Sequence, residues 1–127
     1  MTAAAQSARQ VRGAPAIVPV ANEPPARIVV DQPDADSLAI GRVVIQYYAE
    51  NVHIVPVYGK PALEVSPRVG HVHVTVDDAS WHWLDASGEP IVMNGFAPGP
   101  HKVRIQLVDA THIPLDEGVV TFTVPPR

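Results

Sequence analysis

The chain has 127 residues, 46% of them apolar and 17% charged, with a net charge of −4 and no cysteine. That length and balance fit one folded domain and exclude a disordered chain or a second domain. No two Lys or Arg residues are adjacent, which excludes the basic footprint a nucleic acid needs; no apolar run nears the ~20 residues of a membrane-spanning helix; and thiolate ligands, disulfides and a Cys nucleophile are all ruled out.

Residues 1–26 carry Pro15, Pro19, Pro24 and Pro25 among small apolar residues, with neither helical nor strand period, and are expected to form an extended arm or tether. Their start, Met1-Thr2-Ala3-Ala4-Ala5-Gln6-Ser7-Ala8, has the small-residue character of a signal-peptide cleavage region without the apolar stretch that precedes one. The expectation is an exported protein, periplasmic or extracellular, whose signal has been trimmed.

From residue 27 to 127 the dominant pattern is alternation of period two, rich in Val, Ile, Tyr and Thr and punctuated by Gly, Pro, Asn and Asp. Strands are predicted at 27–31, 42–49, 52–57, 70–77, 80–84, 91–96, 101–109 and 119–124. Fourteen prolines leave room for no more than a short helical turn in a loop. In the clearest strand Val72, Val74 and Val76 point one way, while His71, His73, Thr75 and Asp77 point to the opposite, solvated face. Residues 109–118 are expected to form a hairpin-like loop. Seven or eight short strands, each with one apolar face, predict an all-β fold: an antiparallel sandwich of immunoglobulin or fibronectin type.

The run Gly70-His71-Val72-His73-Val74-Thr75-Val76-Asp77-Asp78, then Trp81-His82-Trp83, Pro98-Gly99-Pro100-His101, Asp109-Ala110-Thr111-His112 and a closing Val120-Thr121-Phe122-Thr123-Val124 resembles a family of uncharacterised bacterial exported proteins, a domain of unknown function. The resemblance spans residues 27 to 124. It implies an immunoglobulin-like sandwich behind a signal peptide, and no assigned activity.

Histidine carries the only chemical signal. Two histidines at i and i+2 on a strand share a face with Cα atoms ~6.5 Å apart, a spacing that lets both imidazoles converge on one ion. His71 and His73 meet it. If 70–77 pairs antiparallel with 101–109, Asp109 and His112 come to the same end and either one completes the shell, with His53 approaching it; His101 falls at the far end, beside Asp77 and Asp78, as a corner residue bonded to backbone. Imidazole suits zinc and copper alike.

Trp81 and Trp83 share one face of a short strand and offer an interface anchor or ligand platform, or one fills the core while the other covers its edge. Ser66, Ser80 and Ser87 sit in no nucleophile elbow, Asp77, Asp78, Asp85 and Glu89 lie at strand ends and turns, and no enzyme is expected. The leading expectation is a non-catalytic binding module for a divalent transition metal, with no certain cofactor. The alternative is a structural protein that self-assembles as a homo-oligomer through its arm and an exposed sheet face.

Overall fold

The computed structural model describes residues 22–127. Strand accounts for 46% and helix for 8% of them, so the fold is all-β. The strands are β1 (Arg27–Val30), β2 (Val43–Ile45), β3 (Tyr47–Glu50), β4 (His53–Ile54), β5 (Val69–Val76), β6 (Trp83–Asp85), β7 (Ile91–Met93), β8 (Gly99–Asp109) and β9 (Pro114–Val124). Helix is limited to one turn, α1 (Ala35–Leu38), and a 3-10 segment, Lys60–Glu64. Of the predicted arm, residues 1–21 lie outside the described residues. At its inner end Pro25 accepts a hydrogen bond from Asn51 and Ala26 packs on the core, so residues 25 and 26 already belong to the folded body.

β5, β8 and β9 form an antiparallel ribbon with β6 on the free side of β5. The alternation read in the sequence places Val72 and Val74 opposite Leu107 and Ile105. These side chains share one apolar cluster with Ile28, Val43, Ile45, Val52, Ile91, Met93, Val103 and Val120, drawn from the pairs β1–β3 and β2–β7 as well as from the ribbon. Burial of such a face is the main stabilising term in a domain this size.

Three features differ from expectation, and all three shape the same end of the molecule. β4 pairs with β5 in parallel, His53 beside Val69 and Ile54 beside Gly70, because the segment between them crosses over rather than turning back as a hairpin. That crossover covers the start of β5: Ala62 packs with Val69 and Ala110 in a second small core, with Val55 against it. The face predicted to be solvated is therefore buried at Val69 and His71 and opens only beyond them. The loop expected over 109–118 is also much shorter, since β9 begins at Pro114 and a register shift between Leu107 and Val108 absorbs the extra residue.

Candidate metal centre

β5 carries His71 and His73 on the face opposite Val72 and Val74, and the antiparallel register sets His71 across from Val108 and His73 across from Gln106. One step beyond Val108 the chain reverses through Ala110, Thr111 and His112. This is a three-residue hairpin loop: His112 N–H donates to the Asp109 carbonyl at 3.0 Å and Asp109 N–H to the Ile113 carbonyl at 2.9 Å. Such loops close with a residue in the left-handed region, usually glycine. Here that residue is His112, at φ 69°. Asp109 holds it there, because its Oδ1 accepts from Thr111 N at 2.8 Å, Thr111 Oγ1 at 2.8 Å and Ile113 N at 3.1 Å.

The result is a triangle of imidazole nitrogens. His71 Nε2 lies 3.2 Å from His73 Nε2 and 3.0 Å from His112 Nδ1, and His73 Nε2 lies 3.2 Å from His112 Nδ1. Three donors at ~2.0–2.1 Å from one tetrahedral ion are ~3.3–3.4 Å apart, so the triangle is one face of such a tetrahedron after an expansion of ~0.2 Å. Zinc and divalent copper both accept imidazole donors of this kind.

The electrostatics suit coordination. Burial, reinforced by His73 and His112 and only partly opposed by Asp109, pushes the His71 imidazole down to about 4. Burial, His82 and His112 lower His73 as well. Below its ordinary range an imidazole is neutral at pH 7, with the lone pair a metal needs. His71 is 0% exposed and its Nδ1 has no hydrogen-bond partner among the described residues. All the polar bonding capacity it uses is thus directed through Nε2 into the triangle, and a buried polar atom without a partner calls for a specific cause.

A family model matches the whole chain, residues 1–127. The chain belongs to the family of unknown function DUF6130. No curated protein and no solved structure matches this DUF6130 chain.

Of the histidines singled out in the sequence, the DUF6130 fold brings His71, His73 and His112 together. Asp109 is not among the converging donors: its Oδ1 is committed to the loop that carries His112. His53 is exposed on β4 and outside the group. His101 sits at the far end, where Nε2 donates to the Ala97 carbonyl at 2.8 Å and Nδ1 donates to Asp77 at 2.7 Å. The two indoles divide the roles weighed for them, Trp83 packing on the core and Trp81 standing 62% exposed, with ring centroids 5.9 Å apart.

Two neighbours escaped the sequence reading. The Tyr58 ring meets His71 edge-on at 5.2 Å and stacks over His112 at 6.3 Å, but it arrives from the crossover, which has no period to read. His82 stacks on His73 at 4.7 Å. A signal for it existed: Trp83 pairs with Val74 and Leu84 with His73, so alternation puts His82 on the His73 side once the indoles are assigned to the core side.

Proposed function

We propose that this chain is an exported bacterial binding domain of immunoglobulin-like sandwich form that holds one divalent transition metal ion, zinc or copper, on His71 Nε2, His73 Nε2 and His112 Nδ1. The observation that carries the reading is the triangle of three ring nitrogens with edges of 3.0 to 3.2 Å. A ligand residue held at a left-handed backbone position adds to it, because strain of this kind persists where the surroundings over-determine it and clusters at functional sites. Two groups of strands sharing one apolar cluster support the sandwich, and the resemblance to bacterial exported proteins supports action in the periplasm or outside the cell. The reading assigns no catalysis.

Metal analysis of tag-free protein, followed by titration with zinc and copper, tests it. One ion per chain is expected, with a stabilisation of ~2.7 kcal/mol when the free ion is at a hundred times its Kd. His112→Gly should abolish that gain and leave the metal-free protein as stable as before or more so, because glycine takes the left-handed position without strain. Full binding by His112→Gly, or none by the parent, overturns the reading. The exposed indole of Trp81 favours a second reading, self-association through that face. A sedimentation coefficient that rises with concentration, and stops rising in Trp81→Ala, is its expected mark.

A further inference from the structure

We propose that His82 is a fourth, movable ligand of the same centre, so that a bound ion passes between a three-nitrogen and a four-nitrogen shell and is loaded and released through His82. The proposal rests on the trihistidine reading above and adds the route to solvent. The three donors form a burial gradient: His71 is buried, His73 half-buried and His112 exposed. The fourth side of the tetrahedron therefore faces outward, and the shallow open pocket found there is lined by His73, His82, Leu84 and His112.

Two other side chains that carry donor atoms stand near the triangle. Asp109 Oδ1 braces the 110–112 loop, and the Tyr58 ring packs against His71 and His112 without lining the pocket. His82 is different in three ways. It lines the pocket, it is exposed, and its ring makes no hydrogen bond among the described residues. What positions it is the stack on His73, with ring planes 27° apart. An exposed side chain changes rotamer in picoseconds to nanoseconds, so leaving that stack for the open position is fast beside the residence of an ion. Structural zinc sites close with four protein ligands and divalent copper favours a tetragonal set of four, so an ion held by three imidazoles has a vacancy that a fourth imidazole fills.

The test is electron paramagnetic resonance of the full chain loaded with one equivalent of copper(II), with zinc affinity measured by chelator competition. The parent should show hyperfine structure from four nitrogens. His82→Ala should show three, and should bind zinc at least ~10-fold more weakly, on the scale of lost supporting groups at metal sites. Because His82 is exposed and its ring makes no hydrogen bond among the described residues, the metal-free variant should melt close to the parent. His53→Ala, which removes an exposed histidine outside the pocket, should keep four nitrogens and the parent affinity. An unchanged nitrogen count and affinity in His82→Ala overturns the movable ligand and leaves the three-histidine site standing. Absence of any ion from the parent overturns both, whereas a parent that binds, with binding lost in His112→Gly and unchanged in His82→Ala, overturns the movable ligand alone.

Discussion

At the scale of single residues, the two ends of β5 respond to pH in opposite directions. His71 and His73 are held below the ordinary imidazole value of ~6.5, His71 at about 4, so between those values the unfolded chain binds protons that the folded one refuses. Stability of the metal-free protein should therefore fall as pH drops from ~6.5 to ~4, by at most about 3 kcal/mol for His71. His101 behaves inversely. Its hydrogen bond to Asp77, opposed by partial burial and aided by the Ala97 carbonyl, raises it. That contribution is complete below ~6.5 and is lost as pH rises through the raised value. Asp77 and Asp109, lowered by hydrogen bonds that outweigh partial burial, add a third phase: their support is lost only as pH falls through their depressed values, below ~3.9. Urea titrations across pH 3 to 9 should show His71→Leu flattening the limb between 6.5 and 4, and His101→Gln flattening only the alkaline limb. An acid limb unchanged in His71→Leu would refute the assignment.

At the scale of elements, the centre depends on how closely β4, β5 and β8 approach at Gly70. This residue pairs with Ile54 on one side and Asp109 on the other, and a Cβ there would land on the Val108 carbonyl oxygen and against Val52. Neither a backbone carbonyl nor a buried valine yields cheaply, so Gly70→Ala should cost about 2–3 kcal/mol in chemical denaturation and weaken metal binding with it. A variant of parental stability would show that the strands sit further apart than described. The same region shows what could be read from residues in order. Alternation on 70–77 and 101–109 was enough to pair the strands and to bring His112 to His71 and His73. It could not reveal the burial of His71, because the cover comes from an aperiodic crossover of Pro56, Tyr58, Pro61 and Ala62 that acts through tertiary contact. Nor could it place the start of β9, where Pro114, Asp116, Glu117 and Gly118 are poor strand formers held by tertiary partners: pairing with β8, and a hydrogen bond from Ile28 N–H to the Asp116 carboxylate. His82 was legible by alternation but overshadowed by the indoles on either side.

At the scale of the whole molecule, the candidate centre joins parts far apart in the chain. His71 and His112 are 41 residues apart, and the crossover that roofs His71 belongs to neither hairpin. That roof is tied to the ligand loop by one backbone hydrogen bond, Gly59 N–H to the Ala110 carbonyl at 2.9 Å, and by the small Ala62, Val69 and Ala110 core. So small a core makes it the segment expected to open before the sheets do. Its amide protons carry the consequence. An ion gripping His112 stiffens the 110–112 loop, and the loop in turn holds Gly59, so deuterium uptake at Gly59 and Ala62 should slow on loading although neither residue touches the metal. Uptake at Val103 and Ile105, deep in the ribbon, should barely change. A roof that exchanges at the same rate with and without the ion would mean that loop and roof are not coupled. If it slows, occupancy of the centre can be followed by exchange at Gly59, from a position that contributes no ligand.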